Sequence, residues 1–349
     1  MVLHNTQILT RAAQALVREH FAVAPGENVL ITVDTGTDTA LIDAVFGAVS
    51  AAGGRPLVAL IPQLPFQGAL ADPFLTDSLA AAAEASDAWF DFCFPYMAGS
   101  KLQDRAMKAN RSRYCLLATA GAESFARMYG GVDFSALMDF QIAVSDFVGS
   151  KAGSQARFTC PLGTDITFTM DKVKLKRHRV ANVPGMHTVP GAQNLYPLME
   201  TVKGKVVLQA LFDEIYRPLR RPITIAVDGR IQGFSGAAAE DVARLERSLR
   251  RASGTGSQTY GYCIHFTMGF HPATRMTERH FVEDIRLPGT NAIGMGLPWW
   301  EAGGGENHPD GVIFDQSLWI DGEQILDGGK LVGPAPLVAA YEKLQPRFF

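Results

Sequence analysis

The sequence predicts an α/β protein in two parts: an open parallel α/β sheet domain over residues 1–150, then an α+β domain over residues 151–349. Three observations point there. From about residue 27 to 145, short apolar runs rich in β-branched residues alternate with longer stretches of helical spacing, which is the signature of parallel strands joined by helices. After about residue 150 the strands come in pairs joined by glycine turns, with few helices between them. A chain of 349 residues also exceeds what one hydrophobic core usually holds.

Residues 1–21 have the spacing of an amphipathic helix. They lack a continuous apolar core and a small-residue cleavage site, so they are not read as a signal peptide. NVLITVD (28–34) is a strand ending in Asp34, and 39–53 is a helix. The turn between them, Asp34 to Asp38, has neither the spaced glycines of a dinucleotide loop nor the lysine of a P-loop. Strands at 55–62, 88–94 and 113–120 and helices at 71–86 and 101–110 continue the alternation. The boundary falls between Ser145 and Ala156. Residues 156–170 read as a hairpin around Pro161-Leu162-Gly163, and 222–234 as another turning at Asp228-Gly229. Residues 236–252 form an amphipathic helix, with Leu245 and Leu249 four apart. Short strands follow in 262–270, 291–296, 311–315 and 317–321.

Composition narrows the function. The chain is 47% hydrophobic and 19% charged, and its formal charge is −3. No basic field invites nucleic acid or an anionic membrane surface. No apolar run is long enough to span a bilayer. Cys93, Cys115, Cys160 and Cys263 lie far apart without Cys-x-x-Cys spacing, as buried thiols of a reducing compartment do. The expected setting is cytoplasmic.

The stretch from Asn291 to Gly329 carries the chemistry. At its centre stand His308, Pro309 and Asp310. Proline crowds a helical residue before it, so Pro309 biases His308 toward extended backbone. If Asp310 is extended too, positions 308 and 310 share a face, because strand side chains repeat every two residues. The competing reading is a type I turn over Pro-Asp-Gly. Gly303 to Gly305, just upstream, let backbone bend or approach a ligand. Trp299 and Trp300 either stack on an aromatic ring or cap the core.

His4, His20, His178 and His280 are read as incidental. His265 sits in an apolar strand of the same domain as His308 and Asp310. Two imidazoles and one carboxylate on one side of a metal leave the opposite positions open. That facial set suits non-haem Fe(II), and zinc accepts the same ligands.

The second half, over roughly residues 155–330, resembles the aminopeptidase T family of metallopeptidases. The likeness rests on Val189-Pro190-Gly191-Ala192-Gln193, on the run from His265 to Pro272, on Gly289-Thr290-Asn291-Ala292, and on His308-Pro309-Asp310. The departures say more. That family's first glutamate ligand falls on Gln193, its second on His265, and one histidine on Asn291 or Ala292. Neutral amides cannot replace the anionic ligands that hold two dications together.

A one-metal set of His265, His308 and Asp310 remains. It resembles a divergent branch of the superfamily, the 2,5-dihydroxypyridine 5,6-dioxygenases, which bind one Fe(II) through two histidines and an aspartate. The resemblance implies Fe(2+) as cofactor, dioxygen and a small aromatic or N-heterocyclic ring as substrates, and opening of the ring to an N-formylmaleamate-type product. It also implies that subunits associate. On this reading His187 is the candidate general base, since imidazole titrates nearest neutral pH. Gln193, His271 and Asn291 are candidates for hydrogen bonds to substrate. A metal-dependent aminopeptidase or amidase is the alternative.

Overall fold

The structure, a computed structural model, describes residues 2–119, 121–172, 179–236, 238–253, 259–298 and 308–346. Trp299, Trp300, Gly303 to Gly305 and His178 lie outside the described residues.

The first half builds a five-stranded parallel sheet. Its strands are β1 (Asn28–Asp34), β2 (Arg55–Ile61), β3 (Ala88–Asp91), β4 (Arg113–Leu116) and one from further along, in the order β2-β1-β3-β4. Helices α1 (Val2–Gln14), α2 (Thr39–Ala51), α3 (Asp77–Ala85) and α4 (Lys101–Lys108) accompany it. Alternate residues of each strand go to opposite cores. Val29, Ile31, Val33 and Phe90 join one, while Leu30, Trp89 and Tyr114 join the other. Burial on both faces is why β1 reads as a continuous apolar run rather than an alternating one.

The helix expected over 71–86 is divided. A 3-10 segment, Gly68–Phe74, ends as Pro73 withholds an N–H, and α3 starts afresh where the Thr76 hydroxyl accepts the Leu79 N–H at 3.3 Å. Another helix, α5 (Ala122–Phe125), and the long α6 (Phe134–Gly149) lead into the second half.

Two strands form the expected hairpin, β5 (Gln155–Thr159) and β6 (Asp165–Thr169). The next, β7 (Gly185–Thr188), returns to the first sheet and pairs in parallel with β4, Arg113 opposite Gly185 through Leu116 opposite Thr188. The chain thus crosses the expected boundary at 150/151 once more.

The remaining strands are β8 (Ala192–Leu195), β9 (Lys203–Phe212), β10 (Tyr216–Asp228), β11 (Arg230–Ser235), β12 (Tyr262–Gly269), β13 (Asn291–Gly296), β14 (Asp310–Ile313), β15 (Ser317–Ile320), β16 (Glu323–Asp327) and β17 (Lys330–Leu331). With β5 and β6 they make a twelve-stranded antiparallel sheet, ordered β17-β16-β15-β5-β6-β9-β14-β13-β12-β8, with β10 and β11 branching from β9.

One face of this sheet packs with α6 and α7 (Ala239–Ala252) around Phe158, Phe168, Phe266, Ile293 and Ile313. The other face supplies Ala210, Phe212, Ala292 and Val312 to the same core as Phe90 and Phe92 of the first half. The parallel α/β sheet followed by a large antiparallel sheet is the mixed architecture that the sequence led one to expect.

Candidate metal centre

Strand register creates the site. Strands β12, β13 and β14 are neighbours, with His265 opposite Gly294 and Gly294 opposite Asp310. Residues in register share a face of a sheet, so His265 and Asp310 point the same way with a glycine between them. His308 lies two residues before Asp310 and projects to that face as well. The turn reading of Pro309-Asp310-Gly311 is set aside, because Asp310 opens strand β14.

Gly294 is what lets the side chains meet. A Cβ there would stand 2.2 Å from His265 Nε2 and 2.4 Å from its Cδ2. The ring leans over the middle strand into space that only glycine leaves. A register shift between Cys263 and His265 aims it there. The sequence reading missed Gly294, although a glycine inside an apolar strand signals close approach.

His265 Nε2 lies 3.3 Å from His308 Nε2 and 3.3 Å from Asp310 Oδ1, and His308 Nε2 lies 3.7 Å from Asp310 Oδ2. The two rings stand at 90°. A metal with bonds of about 2.1 Å spaces its neighbouring donors by about 3.0 Å at right angles and about 3.4 Å in a tetrahedron. The observed spacings therefore fit three adjacent positions around one ion. Among the described residues this is the one group of three or more His, Cys, Asp or Glu side chains whose ligand atoms all lie within 4.8 Å of one another.

Burial sets the electrostatics. It pushes the Asp310 carboxyl up to about 8. It pushes His265 down to about 4, against a small opposing pull from the Ala292 backbone, and His308 down to about 3 with help from His265. Neutral imidazoles are the form that ligates a metal. Among the described residues Asp310 draws no hydrogen-bond donor other than the two imidazoles, so a bound dication is what would offset the cost of its ionisation.

The other expected site residues are placed elsewhere. His187 sits on β7 in the first sheet, its ring edge-on to Phe21 at 5.6 Å and its Nε2 3.0 Å from the Val183 carbonyl. None of these contacts is with the triad.

Gln193 accepts a hydrogen bond from Gln141 at 3.4 Å and donates to the Asn194 carbonyl at 2.9 Å. His271 is fully buried, with Nε2 2.8 Å from the Met128 carbonyl and Nδ1 accepting the Ala273 N–H at 3.2 Å. Asn291 accepts from Thr267 N at 2.8 Å and donates to Gln316 at 2.9 Å. These three brace the sheet from within. Their polar atoms answer the demand for partners inside the sheet.

Two solved structures share the fold. The structure of 2,5-dihydroxypyridine dioxygenase from Pseudomonas putida KT2440 is similar with a TM-score of 0.69 and 15% sequence identity, over 95% of this chain and 98% of that one. Wild-type AmpT from Thermus thermophilus is similar with a TM-score of 0.59 and 14% identity, over 94% of this chain and 99% of that one. At such identity the likeness establishes the fold. No protein-family model matches the chain, and no curated protein matches its sequence. Among the described residues no helix is long and apolar enough to cross a membrane.

Proposed function

We propose that this chain is a mononuclear non-haem Fe(II) dioxygenase that opens a dihydroxypyridine ring. The observation that carries the reading is the facial set of His265, His308 and Asp310, three donors on one face of a sheet with spacings that suit one ion. The fold shared with a 2,5-dihydroxypyridine dioxygenase supports it. When bound there, Fe(II) supplies open positions at which a ring oxygen and dioxygen can react.

The chain's own residues do the rest. The two imidazoles stay neutral and so stay ligands. Asp310 gives up its proton and brings one negative charge to the centre. Phe212, fully buried and in register with Asp310, keeps water from the adjoining wall. Exclusion of water strengthens each electrostatic interaction inside.

The AmpT fold keeps a metal hydrolase as the second reading. Gln193, an amide committed to Gln141 and Asn194, offers no anionic ligand for a second ion, which favours the oxygenase.

The test is anaerobic reconstitution with Fe(II), followed by oxygen uptake with 2,5-dihydroxypyridine, for the wild type and His265→Ala side by side. Uptake should occur in the wild type and fall at least about 100-fold in the variant. Equal uptake by both proteins would remove the triad from the reaction. Hydrolysis of aminoacyl amides by the zinc-loaded protein, without oxygen uptake by the iron-loaded one, would favour the second reading.

A further inference from the structure

We infer that Tyr96 is the residue through which the first half of the molecule contacts a ring bound at the metal centre, its hydroxyl donating a hydrogen bond to an oxygen substituent of that ring. The inference rests on the reading that a hydroxylated ring binds beside the triad.

Topology gives the first reason. The strand order β2-β1-β3-β4 reverses direction between β1 and β3. In open parallel sheets ligands bind outside the carboxyl ends of the strands at such a switch point. The loop that leaves β3 there, from Phe92 to Ser100, carries Tyr96.

That loop docks on the triad's face. Phe212 is in register with Asp310 and shares its face. Phe94 stacks on Phe212 with centroids 5.0 Å apart, and Tyr96 meets Phe212 edge-on at 5.9 Å. From the preceding connection, Gln67 donates to the His308 carbonyl at 3.2 Å. The switch-point crevice of one sheet and the metal-binding face of the other are therefore one place.

The loop is also held still. The buried Asp91 carboxylate accepts the Cys93 and Met97 N–H groups at 3.2 Å each. Asp91 is itself fixed by Tyr114 at 2.8 Å and Thr32 at 2.9 Å. Asp34 accepts the Phe94 N–H at 2.9 Å. Two buried carboxylates thus pin Cys93, Phe94 and Met97, on both sides of Tyr96, from two neighbouring strand ends. Locked supporting groups are how a binding residue is held in position.

Tyr96 has a reason to be held. Tyr96 is half-buried and its hydroxyl forms no hydrogen bond among the described residues, which leaves it open to a ligand. A phenol keeps its proton at neutral pH, so it stays a donor. Its complement is an anionic or carbonyl-like oxygen on a ring, not a cation.

The test uses Co(II), whose visible spectrum reports its ligands without oxygen chemistry. The Co(II)-loaded wild type and Tyr96→Phe are titrated anaerobically with 2,5-dihydroxypyridine. The variant keeps the ring against Phe212 and should bind Co(II) as the wild type does. It should bind the dihydroxypyridine about tenfold more weakly, the loss expected for one hydrogen bond to a charged or strongly accepting oxygen.

Equal ring binding by both proteins overturns the inference, and so does a wild type that binds no ring. Loss of Co(II) binding by the variant assigns Tyr96 to the scaffold and overturns it too. Failure of the iron protein to consume oxygen, with Tyr96-dependent ring binding intact, would remove the dioxygenase reading and leave this one standing.

Discussion

Asp91 at the end of β3 and Asp310 at the start of β14 are both buried carboxylates, and the protein treats them differently. Asp91 accepts hydrogen bonds from two hydroxyls and two backbone N–H groups, which offset part of the upward push of its burial. Asp310 has no such donors among the described residues, and burial pushes it up to about 8. A buried polar group is costly unless satisfied. At Asp91 the chain closes the account with its own groups. At Asp310 it leaves the charge for a cation to meet. The contrast separates a carboxylate that holds structure from one that awaits a ligand.

Paired substitutions break that comparison most sharply. Asp91→Ala strands the Tyr114 and Thr32 hydroxyls and the Cys93 and Met97 N–H groups, and should cost about 3 kcal/mol or more. Asp310→Ala should leave the denaturant midpoint of the metal-free protein unchanged or higher, because it removes an acid whose burial nothing repays. The same change should lower Co(II) affinity by at least about 100-fold. Urea unfolding with and without metal reads both. If Asp310→Ala unfolds the metal-free protein as badly as Asp91→Ala does, the two carboxylates play the same part and the distinction fails.

Gly294→Ala makes a smaller intrusion at the same site. The added methyl would meet the His265 ring at 2.2 Å, and the ring must turn away because the opposing side is strand backbone. Metal affinity should fall by about 10- to 100-fold, with the antiparallel sheet preserved in the circular dichroism spectrum. Unaltered affinity would mean that the ring does not need the space above the middle strand.

What the sequence disclosed follows from how local each signal is. His308 and Asp310 were legible because Pro309 constrains its neighbours and a strand repeats every two residues. His265 was found through its residue type in an apolar strand and through family likeness. Gly294 was not found, because its role exists only once register sets it opposite both His265 and Asp310.

The surroundings of the other candidate residues were hidden for related reasons. His187 lies in the second half of the chain, yet its strand adds to the first sheet, a pairing between residues more than sixty positions apart that local pattern does not encode. Gln193 and Asn291 draw notice because they fall where the family likeness places metal ligands, and His271 because it is an imidazole just beyond the strand of His265. In the fold they supply hydrogen bonds to Gln141, to the Met128 carbonyl and to Thr267. Tyr96 was invisible for the opposite reason: nothing in Phe94-Pro95-Tyr96 announces that its loop will meet the other half.

The mildest probe of the comparison is pH. In the metal-free protein Asp310 holds its proton up to about 8, whereas in an unfolded chain it loses it near about 4. The folded state therefore binds the extra proton between those values, and this group's contribution to stability declines as pH rises through 8. The histidines act with the other sign. Their folded-state values are pushed down to about 4 and about 3, so their burial costs stability only below about 6.5, where an unfolded imidazole would be protonated. Between about 6.5 and 8, Asp310 is the one member of the triad that changes charge. A metal must displace its proton there, so affinity should rise about tenfold per pH unit across that window and level off above it. Calorimetry of Co(II) binding in buffers of different ionisation enthalpy should find about one proton released at pH near 6.5 and almost none above 9. Binding without proton release at the lower pH would mean that Asp310 is already ionised in the metal-free fold, and the contrast with Asp91 would lose its electrostatic basis.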